Sequence, residues 1–449
     1  MGFAELWEAL LPLGRDPGTG GYRRYSFTEA DMACREWFAG AAAQRGMRAS
    51  TDRNGNLWAW WDVPGGSGSA GGVGGAGGDN GRGRAGGDSG ADRAGGADGG
   101  SGAGGAGGAG GAGGAVVTGS HLDSVPDGGA YDGPLGVVSA FAAVDQLRAR
   151  GFTPARPVAV AAFCEEEGGR FGLACLGSRL LTGAVEPSVA RELRDGDGVT
   201  LAEAMAGAGL DPGGIGADDD LLARVGAVVE LHIEQGSALD GLGAAVGVAE
   251  GIWPHGRWRL DFTGRADHAG TTRLADRRDP MLPYAAAVLE ARQAASAHGA
   301  LATFGKVTAQ PGAANAISSA VSAWLDARAP DQPALDRTVG QIESAARRAA
   351  DAQGVEVGVR RESVTPPVEF DPALRARLVA ALGARGIVAP VLPTGAGHDA
   401  GVLAARLPAA MLFVRNPTGV SHSPAEHAEP ADCAAGVAAL AVVIEELAG

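Results

Sequence analysis

The chain has 449 residues, 45% of them hydrophobic and 20% charged, with a formal charge of −15 at neutral pH and a sequence pI near 5.0. A chain this long exceeds what one core usually fills, so two domains are expected. The acidic balance argues against nucleic-acid binding, which rewards clustered Lys and Arg.

The N-terminus carries an early acid, Glu5, and no basic leader with an apolar core, so it does not read as a secretory signal. Asn56 to Trp61 reads as a strand. Residues 65–114 are low-complexity, dominated by Gly with Ala, Ser, Asp and Arg, and have no apolar periodicity to offset ordering entropy. They are predicted to be a disordered insert. A phosphate-cradling loop would need a Lys and a strand-to-helix setting that this stretch lacks.

Val116 to Thr118 reads as the strand that delivers His121. Leu135, Val137, Val138, Phe141, Val144 and Leu147 then follow a helical pattern that Gly151 ends. Pro157 to Phe163 is a continuous apolar run of the kind found in buried parallel strands. Val225 to Ile233 and Ala409 to Val414 supply two more strands, and Ala431 to Leu447 a closing helix. The longest apolar run, Cys433 to Ile444, is too short to cross a bilayer. The expected fold is α/β, a doubly wound and mostly parallel sheet, in which ligands bind beyond the carboxyl ends of the strands. Between residues 251 and 366 the pattern changes to alternating strands (Arg257 to Phe262, Val321 to Ala327) and two amphipathic helices (Met281 to Ala297, Ala334 to Ala352). This predicts a smaller α+β domain, 251–366, inserted into a discontinuous catalytic domain, 1–250 and 367–449.

Four cysteines, Cys34, Cys164, Cys175 and Cys433, show neither C-x-x-C spacing nor a regular framework. They fit a reduced, cytoplasmic protein better than a disulfide scaffold or a thiolate zinc site. The chemistry lies elsewhere. His121 and Asp123 stand two apart after a strand, where a carboxylate can orient an imidazole that binds metal. Asp132 sits at a helix start, where a carboxylate can bridge two cations. Glu165, Glu166 and Glu167 end an apolar strand, and like charges packed so closely call for a multivalent cation; alternation would let one Glu bind metal while its neighbour faces substrate. His232 and Glu234 share one face of an alternating strand. His422 and His427 follow another strand, each read alone as a surface histidine, and His255 and His298 are expected to be structural or exposed.

The runs GSHLDSVPDGGAYDGPLGV, EEEGGRFG, ELHIEQG, ADHAGTT, GAGHDA and SHSPAEH occur in this order and span most of the chain outside the Gly-rich insert. Together they resemble the allantoate amidohydrolases and N-carbamoyl-L-amino-acid hydrolases, a branch of the aminoacylase and carboxypeptidase-like dinuclear metallohydrolases. The resemblance implies one divalent metal held by His121, Asp132 and His232, and a second held by Asp132, Glu167 and His422. Zinc or manganese is expected, and mixed imidazole and carboxylate ligation does not choose between them. In peptidase relatives the position of His232 is usually an Asp, so His232 favours the ureide and carbamoyl branch.

The same resemblance makes Glu166 the general base and Asp123 the partner of His121. It also implies that Gln235, His268, Asn315, Arg328 and the backbone around Gly397 hold a carboxylate-bearing substrate. A guanidinium such as that of Arg328 can take a carboxylate in a bidentate grip. His268, in the small domain, is expected to reach the other subunit of a homodimer and stabilise an oxyanion there. Arg273-Leu274 and the stretch from Arg415 depart from the family pattern near the expected substrate pocket, where the two arginines are expected to add positive charge and so bear on which substrate is taken. The implied reaction is attack of water on a terminal ureido or carbamoyl carbonyl, with release of ammonia. The alternatives are an N-formyl or N-acyl amino-acid deacylase on the same site, a metallopeptidase, and a silent binding protein that keeps the fold.

Overall fold

The computed structural model describes residues 2–63 and 113–449; the expected disorder of 65–114 falls almost entirely outside them. The strands are β1 (Arg48–Thr51), β2 (Leu57–Trp61), β3 (Ala115–His121), β4 (Val158–Phe163), β5 (Val225–Ile233), β6 (Val246–Ile252), β7 (His255–Thr263) and β8 (Asp267–His268). Further on come β9 (Leu301–Gln310), β10 (Ala316–Ile317), β11 (Ala320–Arg328), β12 (Glu356–Thr365), β13 (Val368–Glu369), β14 (Val391–Thr394) and β15 (Ala409–Val414).

Nine of these form one mixed sheet in the order β1-β2-β4-β3-β5-β15-β6-β13, with β14 also on β6. Its centre, β4-β3-β5-β15, is parallel, while β1, β2, β6 and β13 join it through antiparallel pairs. The central strands are apolar on both faces, as a sheet covered on both sides requires. Val116, Val158 and Val229 pack under the helices Pro134–Ala149 and Pro430–Ala448, and Val117, Ala159 and Val228 pack with Leu181 and Leu403 on the opposite face. Alternate residues thus feed two cores, which is the doubly wound arrangement.

The chain leaves this sheet after Ile252 and rejoins it at Val368, which pairs with Ile252. In between, β12-β7-β11-β9 form an antiparallel sheet, with the helices Met281–His298 and Gln332–Gln353 packed against it. Leu260, Phe262, Val321, Leu325 and Ile342 make a core of its own. Asp331 caps the longer helix, its carboxylate accepting from the Ala334 N–H at 2.7 Å. The short pair β8–β10 sets His268 opposite Ala316.

Candidate metal centre

Histidines and carboxylates arrive from four separate places at the carboxyl end of the parallel sheet. β3 ends on His121 and β5 carries His232 one residue from its end, while β4 hands on to Glu166 and Glu167 and the loop after β15 brings His422. Asp132 stands two residues before the helix Pro134–Ala149. The intervening Gly133 has φ +84°, and a Cβ there would lie 2.4 Å from the His121 imidazole. Only glycine lets the chain turn so close to that ring.

Asp132 occupies the middle of the cluster. Its Oδ1 lies 3.1 Å from His232 Nε2 and 3.6 Å from His121 Nε2, and its Oδ2 lies 3.4 Å from His422 Nε2. Glu167 Oε2 is 3.5 Å from the same His422 nitrogen. Two groups of ligand atoms result, His121 with Asp132 and His232, and Asp132 with Glu167 and His422. Each oxygen of Asp132 faces one group.

The tautomers follow from carbonyl partners, which accept only. His121 Nδ1 lies 3.1 Å from the Asp123 carbonyl, and His232 Nδ1 lies 2.8 Å from the Ile233 carbonyl. Each Nδ1 therefore carries a hydrogen, and in the neutral ring each Nε2 presents its lone pair toward Asp132. Both Nε2 atoms are buried without a hydrogen-bond partner. Lone pairs facing carboxylate oxygens in a buried site fit a cation between them, so the residues suit divalent metal.

Charge behaviour agrees. Burial, and then the charge of Asp132, raises Glu167 to about 8, and burial lifts Glu166 well above the carboxylate range. Asp132 is held well below it: burial works the other way, but the imidazoles of His121 and His232 outweigh it. His121 is raised although burial opposes it, because Glu166, Asp132 and Asp123 surround the ring. Glu166 and Glu167 thus keep their protons to unusually high pH, while Asp132 stays ionised.

A cleft of ≈ 360 Å³ opens on the cluster and is lined by Glu166, Glu167, His232, Gln235, Arg328 and Gly397, among others. Gln235 Nε2 donates to Asp132 Oδ2 at 2.8 Å. Arg328 reaches in from β11, but its Nε already bonds Asp326 Oδ1 at 2.9 Å and one terminal nitrogen donates to the Gly395 carbonyl at 2.6 Å. A full bidentate grip on a ligand through the Nε edge is therefore not open to it. His268 and Asn315 are exposed neighbours at the β8–β10 strand pair and do not line this cleft.

Several local expectations change. Glu165 to Glu167 lie beyond β4, and Glu165 has φ +54°, which breaks strand alternation so that Glu166 and Glu167 both face the cleft. The Asp123 carboxylate sits 3.6 Å from His121 and spends its two oxygens on the backbone N–H groups of Glu166 and Glu167, each at 3.1 Å. Its backbone carbonyl, rather than its side chain, orients the imidazole. Glu234 turns away to accept from Ala238 and Leu239. Arg415 adds no free charge, since Asp432 holds it at 2.8 and 2.9 Å, and Arg273 pairs with Asp276 outside the cleft.

Other groups were silent in the sequence. Glu426 accepts from the backbone N–H of Tyr131 and Asp132, both at 2.9 Å, and so fixes the loop that presents Asp132. Cys175 Sγ lies 3.3 Å from Glu166 Oε1, and the ring of buried His398 lies 4.5 Å from that of His232. Only the SHSPAEH and GAGHDA runs pointed near Glu426 and His398. His427 is exposed beside Glu429, and His255, half-buried, lines the cleft.

A histidine and carboxylate cluster at the carboxyl edge of a doubly wound sheet, with a second α+β layer beside it, defines a metal-dependent hydrolase. The chain belongs to peptidase family M20/M25/M40, whose model matches residues 117–446. It is 37% identical to an N-carbamoyl-L-amino acid amidohydrolase of Geobacillus stearothermophilus over 74% of this chain and 81% of that protein. It is 33% identical to an allantoate amidohydrolase of Escherichia coli (strain K12) over the same shares. Among solved structures, an amidase of the hydantoinase/carbamoylase family from Burkholderia multivorans superposes with a TM-score of 0.78 at 27% identity, covering 99% of this chain and 98% of that one. No described helix is long and apolar enough to cross a membrane.

Proposed function

We propose that the protein is an amidohydrolase that cleaves a terminal carbamoyl or ureido C–N bond of an amino-acid-like substrate, such as allantoate or an N-carbamoyl-L-amino acid, and releases ammonia. The observation that carries this reading is Asp132, whose two oxygens each face one group of imidazole and carboxylate ligands. The amidohydrolase relatives supply the bond type. Two zinc or manganese ions would be held, one by His121, Asp132 and His232, the other by Asp132, Glu167 and His422. When bound, such a pair lowers the pKa of a water and polarises a carbonyl.

The chain's own residues do the rest. Glu166, at the cleft wall, takes the proton from water and returns it to the leaving nitrogen. Asp123 keeps Glu166 and Glu167 in place through their backbone N–H groups. Arg328, through its remaining N–H groups, meets the substrate carboxylate, and Gln235 and the backbone at Gly397 set its orientation. His268 and Asn315 serve the cleft of a second subunit in a homodimer, which their exposed position off this chain's own cleft supports. The four free cysteines support a reducing, cytoplasmic setting.

The test is ammonia release from purified protein loaded with manganese or zinc and offered allantoate, several N-carbamoyl-L-amino acids and N-formyl-L-glutamate. Metal-dependent ammonia from a ureide is expected, with turnover by E166Q lowered by roughly 10²- to 10⁴-fold while its metal content stays at the wild-type level. Formate without ammonia would move the enzyme to the deacylases. A Glu166→Gln variant with normal turnover would remove Glu166 from the mechanism.

A further inference from the structure

Arg179 lies in the helix Leu176–Thr182, which follows directly on the Glu166–Cys175 loop. That helix is firmly seated: Leu180 and Leu181 are buried, and Ser178 Oγ donates to Asp399 Oδ1 at 2.5 Å. The side chain lines the same cleft as Glu166, Glu167 and Arg328. Its Nε donates to the Ala174 carbonyl at 2.9 Å, and its terminal nitrogens have no hydrogen-bond or ion-pair partner among the described residues. The other two arginines of the cleft differ. Arg328 and Arg257 share Asp326, at 2.9 and 3.6 Å. Apart from Glu166 and the ligand carboxylates, the cleft wall thus sets three guanidiniums against one carboxylate. The His255 imidazole, pushed down first by burial, also feels both Arg328 and Arg179, and all three side chains line this cleft.

One surplus guanidinium suits the α-carboxylate that every ureido acid carries; a second has no use for such a substrate. An unpaired cation held in a half-enclosed cleft by a rigid helix is a prepared anion site, because its order and partial desolvation precede the ligand. We propose that Arg179 receives a second carboxylate of the substrate, so that the ureido acids this site prefers are dicarboxylates of the N-carbamoyl-L-glutamate type. The proposal rests on the ureide reading above. A charge-assisted guanidinium–carboxylate pair distinguishes an acid from its isosteric amide by about 10- to 100-fold in affinity.

Calorimetric titration of metal-loaded E166Q, which leaves the ligand intact, with N-carbamoyl-L-glutamate and N-carbamoyl-L-glutamine tests this. The acid is expected to bind at least about tenfold more tightly than the amide, with that ratio falling to within about threefold in E166Q/R179A and partly restored in E166Q/R179K. Equal binding of the two ligands by E166Q, or a preference that survives R179A, would overturn the proposal. Ammonia release by the Glu166-intact protein separates the two ideas. An Arg179-dependent preference without ammonia from either ligand keeps the anion subsite and removes the ureide reading, while ammonia from both with no acid preference does the reverse.

Discussion

Gly133 is the smallest residue at the site and among the least replaceable. With φ +84° and the His121 ring 2.4 Å from where a Cβ would stand, alanine there meets both backbone strain and a clash. G133A is expected to lose about 1–3 kcal/mol in stability and most of its bound metal, measured by denaturant unfolding and elemental analysis. Normal metal content in a folded G133A would show that His121 has more room than the structure gives it. The sequence exposed the histidines and acids of the cluster because they sit in dense motifs at the ends of apolar runs. It did not expose Glu426, Cys175 or Arg179, whose roles depend on a chain crossing from elsewhere: Glu426 meets Asp132 from nearly three hundred residues away. Nor did spacing reveal that the Asp123 side chain would hold backbone N–H groups rather than the imidazole beside it.

Elements were legible in proportion to the clarity of their periodicity. β4 and β15 are unbroken apolar runs, β3 and β5 open on apolar runs before their polar ends, and all four were evident, as was the helix Pro430–Ala448. β9 and β12 were not, because their exposed positions mix Lys, Arg, Thr and Gly with scattered apolar residues and give no clean alternation. They form the two edges of a sheet whose inner strands, β7 and β11, carry the core. That core can be probed alone. Phe262 is fully buried among Leu260, Val321 and Leu325, and F262A is expected to cost about 3–5 kcal/mol. Because this cluster is separate from the two that flank the large sheet, hydrogen exchange should rise in residues 255–365 and not in β3 or β5. A uniform rise through both sheets would mean that they unfold as one unit.

At the scale of the whole molecule, the proposed exchange of His268 between subunits makes activity a property of the pair. Mixing inactive E166Q with inactive H268A should restore about a quarter of wild-type activity, since half the dimers are hybrids and each hybrid holds one intact site. No recovery after verified exchange would place His268 outside the neighbouring site. The Gly-rich stretch belongs to the same scale. Deleting residues 68–112 is expected to leave turnover within about twofold and stability within about 1 kcal/mol, because closure entropy changes slowly with loop length.

The register of the large sheet explains why that deletion is tolerable. Trp61, the last residue of β2, and Val116, near the start of β3, both pair with Val158 from opposite sides of β4. Two strand spacings separate them, about 10 Å, which the nine remaining residues 62–67 and 113–115 span with slack at roughly 3.3 Å each. His121, at the other end of β3, pairs with Phe163 at the far end of β4. The chain's one long interruption thus departs and returns at adjacent points on the rim remote from the chemistry. For an engineer this is a docking port: a guest protein whose own termini lie about a nanometre apart can be spliced between Trp61 and Ala115, with turnover serving as the readout that the host still folds.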